Sequence, residues 1–181
     1  MSLLSKLVWH LSIKPRLRNL QILFPGAKIF PTGSRWVCNP PVISTDIDFL
    51  VYFEKETEIP VGWKNDGSYP PGDLSSFRRG SENLIITTNA KWAGYFCAAT
   101  HFCKEHNVKS KFQRCNIYSV FRGDVSAVDL RGSYVWDNIP EIFKDLAIKL
   151  TGPNRDFVFE VYRAQNNIPN LGDTNGELLE Q

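Results

Sequence analysis

The chain has 181 residues and a mass of 20.7 kDa; 43% of its residues are hydrophobic, 13% aromatic and 22% charged. That is globular composition at the size of one domain, and it excludes a disordered or fibrous protein. Lys and Arg number 21 against 19 Asp and Glu, a net charge of +2, so bulk charge selects no partner and nucleic acid would bind only through a local patch.

In chain order, Leu3, Leu4, Leu7, Val8 and Leu11 form a helical stripe ending near Ile13. Lys6 and His10 break the apolar run, so this segment reads as a short helix and not a signal peptide. Pro15 opens a second helix that stops at Pro25-Gly26. Lys28 to Thr32 reads as a strand running into Gly33-Ser34, and 35–44 as a loop rich in Pro and Asn. Thr45 to Phe53 reads as a buried strand. Residues 54–80 carry seven Gly and Pro residues, from Pro60 to Gly80, and read as one long irregular excursion, a lid or a disordered loop. Asn83 to Thr88 is a strand, and Asn89 caps a helix reaching His106 with Trp92, Phe96, Ala99 and Cys103 on one face. Lys111 to Arg122 is a basic helix, and Val125 to Leu130 is a strand or a loop. Helices follow at Ile139–Leu150, with Asn138 as cap and Pro140 in first position, and at Asn154–Asn167. The expected fold class is α/β (α+β): a mixed β-sheet flanked by helices with a helical C-terminal half. It forms one domain over residues 1–169, with its core at about 15–90, its helical part at about 89–169 and a flexible acidic tail at 170–181.

Nothing approaches roughly 18 consecutive apolar residues, so no membrane partner is expected. The cysteines, Cys38, Cys97, Cys103 and Cys115, include no CxxC pair and read as free thiols in a cytoplasmic protein.

One stretch carries chemistry: Phe30-Pro31-Thr32-Gly33-Ser34-Arg35, then Thr45-Asp46-Ile47-Asp48-Phe49-Leu50-Val51. A Gly-Ser turn after a strand offers backbone N–H groups and a hydroxyl to a phosphate, and glycine permits close approach. Asp46 and Asp48, two apart on a strand, point to one face. Adjacent carboxylates repel unless a cation joins them; Mg²⁺ or Mn²⁺ is the natural one and brings nucleotide phosphates with it.

The pattern over residues 28–53 resembles the DNA polymerase β-like nucleotidyltransferase superfamily, whose core signature is a Gly-Ser turn followed by an Asp-x-Asp strand. Phe77 to Thr87, Phe96 to Lys104 and Lys111 to Gly123 are similar to segments of small nucleotidyltransferase-like proteins of bacteriophages, which implies residence in the host cytoplasm. The resemblance implies a nucleotidyltransferase-type sheet and transfer of an NMP from an NTP to an acceptor hydroxyl at an RNA or tRNA end or on a protein. Gly33 and Ser34 would hold the triphosphate, and Asp46 and Asp48 would ligate Mg²⁺ or Mn²⁺. The family's third carboxylate falls where this chain has Asn83. Glu82 would serve there if the strand is bulged, with Asp129 as the alternative. If no acid fills that place, the chain is a degenerate relative that binds a nucleotide or a host protein.

Among other residues, Arg35, Arg78 and Arg79 are candidate phosphate ligands through their guanidinium forks. Lys91, unfavourable at a helix start, is a further nucleotide-binding candidate. Lys104, Lys111 and Arg114, with Lys109 and Arg122 nearby, are the candidate acceptor patch. Trp36 beside the turn is a candidate for stacking on a base.

Overall fold

The computed structural model describes residues 2–69 and 74–171, with backbone alone at 68 and 69. Five strands form one mixed sheet: β1 (Lys28–Thr32), β2 (Ile47–Tyr52), β3 (Lys64–Tyr69), β4 (Leu74–Arg79) and β5 (Glu82–Thr87). The spatial order is β1-β2-β5-β4-β3, with β2 and β5 parallel and every other pair antiparallel. Interior β2 is almost wholly buried, which is why its sequence, Ile-Asp-Phe-Leu-Val-Tyr, is apolar on both sides once past Asp48.

Alternation along the strands divides the core. Ile47, Phe49, Val51 and Leu84 face one side and pack against Ile13, Leu20 and Phe24. These come from a helical run made of α1 (Leu3–Val8), a π-helical turn (Trp9–Ile13) and α2 (Lys14–Leu23). Leu50 and Tyr52 face the other side and meet Trp92, Ala93 and Phe96 of α4 (Ala90–Glu105). The C-terminal half is helical, as expected: α5 (Lys111–Arg122), α6 (Ala127–Leu130), α7 (Tyr134–Asp137), α8 (Glu141–Leu150) and α9 (Arg155–Gln165). Its largest buried cluster centres on Phe102, Ile117, Phe121 and Phe143.

Several local expectations need correction. The excursion at 54–80 contains the β3–β4 hairpin, whose polar strands Lys-Asn-Asp-Gly-Ser-Tyr and Leu-Ser-Ser-Phe-Arg-Arg lack the apolar pattern that marks a buried strand. Loop 35–44 begins with a helical turn, α3 (Gly33–Val37), and Val125–Leu130 ends in α6 and contains no strand. Of the N-terminal stripe only Val8 packs against the core: α1 fully buries no residue, and Leu3 and Leu11 are each 75% exposed. Leu171, assigned to the tail, is buried in one cluster with Leu50 and Trp92, so the domain runs at least that far; residues 172–181 lie outside the described residues.

Candidate functional site

The register places one row of residues across all five strands: Thr32 opposite Asp48, Asp48 opposite Asn83, Asn83 opposite Arg78, and Arg78 opposite Lys64. Directly paired residues project to the same face, so this row lies on the α4 side, at the end of the sheet where β2 and β5 begin.

Thr32 anchors one end. Its hydroxyl is buried within 3.0 Å of Thr100 and 3.1 Å of the Tyr118 hydroxyl, and those two lie 2.6 Å apart. Burial pushes the Tyr118 phenol well above its usual range. This buried three-hydroxyl knot ties the end of β1 to α4 and α5. The chain then turns at Gly33, whose φ is +71°, and the turn lies against β2. A methyl group at Gly33 would fall 2.0 Å from Asp48 Oδ2 and 2.9 Å from Asp48 Cβ. Glycine is required here twice, for the left-handed backbone and for the contact with the carboxylate. Ser34 Oγ lies 2.8 Å from Thr45 Oγ1, which donates to the Val42 carbonyl. This bond latches the Gly-Ser turn to the loop that leads into Asp46.

Asp48 is the one acid of the row, and it is partly buried. Burial raises its pKa above the usual carboxylate value; the amide of Asn83 opposes this, and the nearby charge of Asp46 adds to it. Asn83 Nδ2 donates to Asp48 Oδ1 at 2.9 Å, and Asn83 Oδ1 accepts from Ser76 Oγ at 2.8 Å. Asn83 is therefore hydrogen-bonded at both ends of its amide, directly beside Asp48. Asp46, half-exposed just before β2, accepts from Arg78 Nη1, and Arg78 Nε donates to Asp66 at 3.0 Å.

The two candidates for a third acid lie elsewhere. Strand alternation turns Glu82 to the α2 face with no bulge in β5, where it pairs with Arg16 at 3.3 Å and Arg79 at 3.0 Å. Asp129 sits in α6 and accepts from Ser126 at its cap. Among the described residues no group of three or more His, Cys, Asp or Glu side chains is arranged to hold a metal. A two-carboxylate site suits Mg²⁺ all the same, since that ion is held by one or two carboxylates plus waters and substrate phosphates. Asp46 and Asp48 meet this requirement: the nearby charge of Asp46 disfavours the ionised form of Asp48, and among the described residues no cationic side chain hydrogen-bonds to Asp48.

The other candidate residues divide. Arg78 belongs to the row. Arg79 points to the opposite face, over the Trp63 ring at 4.3 Å. Arg35 is spent on architecture: its guanidinium donates to the Ile43 and Thr45 carbonyls and, at 3.4 Å, to Ser12 Oγ. Lys91 pairs with Asp156 at 3.3 Å; it follows β5, whose four-residue span beyond Asn83 is about 13 Å at ~3.3 Å per residue. It is thus at the far end of the strand from the row. In the expected acceptor patch, Lys111 is exposed at the start of α5, while Arg114 donates to the carbonyls of Val108 at 3.0 Å and Lys109 at 2.6 Å. The positive charge of Arg114 still reaches Asp48 and favours its ionised form. Trp36 cannot offer a clear face to a base, because Lys104 covers its ring at 2.8 Å and Trp9 lies 5.1 Å from it.

Lys104 turns inward, and burial lowers its pKa from 10.5 to about 8. Between those values the unfolded chain holds a proton that the folded chain has released, so stability rises with pH across that window. Lys104→Met is expected to flatten this rise, read as melting temperature between pH 8 and 10.5. An unchanged profile in the variant would assign the rise to other groups.

Asp66 and Ser76 also belong to the bonded network of the site, though no motif marks them, and Asn83 fills by hydrogen bonding the place where a third carboxylate is expected. The only signal for Asn83 was its position, and β4 could not be placed without its pairing. No helix among the described residues is long and apolar enough to cross a membrane. No protein-family model, curated protein or solved structure matches the chain.

Proposed function

We propose that this chain is a Mg²⁺- or Mn²⁺-dependent nucleotidyltransferase of the DNA polymerase β-like type. It would act in the cytoplasm, moving an NMP from an NTP to an acceptor hydroxyl at an RNA or tRNA end or on a protein. The observation that carries this reading is the contact between the Gly33 backbone and the Asp48 carboxylate. A turn able to present N–H groups to phosphates is held against the acid best suited to a cation, by a glycine that no other residue can replace.

Each residue then has a role. Asp46 and Asp48 hold the divalent ion, which neutralises phosphate charge and aligns the reacting groups when bound. Ser34 Oγ and the backbone of the turn bind phosphate oxygens. Arg78, on the same row, supplies a fork for a phosphate. The Thr32–Thr100–Tyr118 knot fixes the turn, so that binding energy is spent on orientation and not on ordering the loop.

Asn83 favours a second reading. An amide stands beside Asp48 where a third carboxylate would take the proton of the attacking hydroxyl. In this reading the chain binds a nucleotide, or a host protein, with little or no turnover.

The test is a transfer assay with each of four α-labelled NTPs, Mg²⁺ or Mn²⁺, and total RNA or lysate as acceptor. Label should enter RNA or a protein band and vanish in the Asp46→Ala/Asp48→Ala double variant. Absence of label with tight Mn²⁺–NTP binding would establish the second reading. Absence of both would overturn the nucleotide site itself.

A further inference from the structure

Arg78 has an arrangement that phosphate binding alone does not explain. Its guanidinium is already occupied, spanning Asp46 and Asp66 from a position two strands away from Asp48 on the row. Three carboxylates, Asp46, Asp48 and Asp66, gather around this one guanidinium, and Lys64 opposite it is exposed. Arg78 thus places a positive charge directly on Asp46, from the register position next to Asn83.

We infer that Arg78 is a positioning residue that stands in for the divalent cation at Asp46, so that metal and nucleotide enter the site together. The inference rests on the nucleotide-site reading above. A dication approaching Asp46 meets a guanidinium already bonded there, and like charges so close must separate. Arg78's other carboxylate partner is Asp66, on the edge strand β3. A triphosphate changes this, because its oxygens offer the fork a better acceptor than a half-exposed carboxylate. Arg78 exchanges Asp46 for phosphate, and Asp46 becomes free to ligate. Nucleotide therefore tightens metal binding, and by linkage metal tightens nucleotide binding by the same factor.

The experiment measures Mn²⁺ binding by the electron paramagnetic resonance of the free ion, with and without each α,β-methylene nucleoside triphosphate, in the full chain. Three variants are compared, each checked for an intact melting transition: Arg78→Gln, Arg78→Lys and Asp48→Asn. In Arg78→Gln, Mn²⁺ alone should bind about five- to tenfold tighter than in the wild type, while the gain on adding nucleotide should fall toward unity. Arg78→Lys restores the charge without the fork, so Mn²⁺ alone should bind near the wild-type strength. A residue with only a structural role would weaken both ligands, never tighten one. Unchanged or weaker Mn²⁺ binding in Arg78→Gln, with Asp48→Asn abolishing it, would overturn this inference and leave the metal site standing. Mn²⁺ binding that is absent, or indifferent to Asp48→Asn, would overturn both.

Discussion

Gly33→Ala is expected to abolish nucleotide and Mn²⁺ binding and to lower stability by several kcal/mol, more than any other alanine substitution in the turn. Two costs add. Any L-residue in the left-handed region is disfavoured by roughly 1–2 kcal/mol, and φ at Gly33 is +71°. The new methyl would also lie 2.0 Å from Asp48 Oδ2. A carboxylate can rotate away, but Asp48 Cβ, at 2.9 Å, is fixed to β2 and cannot. The turn must therefore lift off the strand. That pulls against the buried Thr32 hydroxyl knot and the Ser34–Thr45 bond. Ser34→Ala is the control: it removes one partly buried hydrogen bond, worth about 0.5–1.5 kcal/mol, and should leave metal binding in place while weakening nucleotide binding. Melting curves and Mn²⁺ titration of the two variants distinguish the effects. A Gly33→Ala protein that melts and binds like the wild type would mean that the turn and Asp48 do not form one site.

How much of this site the sequence revealed follows from the range of the interactions involved. Gly33, Ser34, Asp46 and Asp48 were legible because their signals are local: a glycine after a strand, and two acids at the strand period just ahead of an apolar run. The sheet and the helical half were legible for the same reason. The β3–β4 hairpin was not, because its polar strands carry punctuation typical of loops. Glu82 was the preferred third acid although alternation alone turns it away; only the unbroken β2–β5 register, and the pairing with Arg16, remove the bulge that would have rescued it. Long cations were the least legible. Residue type suggests ligands for Arg35, Lys91 and Lys104, yet each meets a side chain distant in sequence that no local pattern announces: Ser12, Asp156 and Trp36. Their reach lets them choose among many acceptors, and the choice is made by tertiary packing.

Asn83→Asp is expected to turn the two-carboxylate site into a three-carboxylate one, and its effect should change sign with metal. In the wild type Asn83 donates to Asp48 Oδ1 at 2.9 Å. The variant replaces that donor by an acceptor, so two carboxylates would face each other beside a third, Asp46. Asp48 is already disfavoured as an ion by burial, and an unpaired polar contact of this kind costs about 1–3 kcal/mol. For a chain of this size each kcal/mol moves the melting temperature by roughly 2–4 °C. The metal-free variant should therefore melt several degrees below the wild type. Ser76 Oγ, which donates to Asn83 Oδ1 at 2.8 Å, can still donate to the new carboxylate and keep it pointed along the row. Saturating Mn²⁺ binds only the folded state and should recover the loss or exceed it. Under the transferase reading the added carboxylate also supplies the missing base for the acceptor hydroxyl, so labelled transfer should rise while nucleotide affinity changes little. Under the binder reading stability responds to Mn²⁺ but no transfer appears. If Mn²⁺ fails to restore the melting temperature of Asn83→Asp, the row does not form a cation site, and the fit of Asp46 and Asp48 to a divalent ion falls with it.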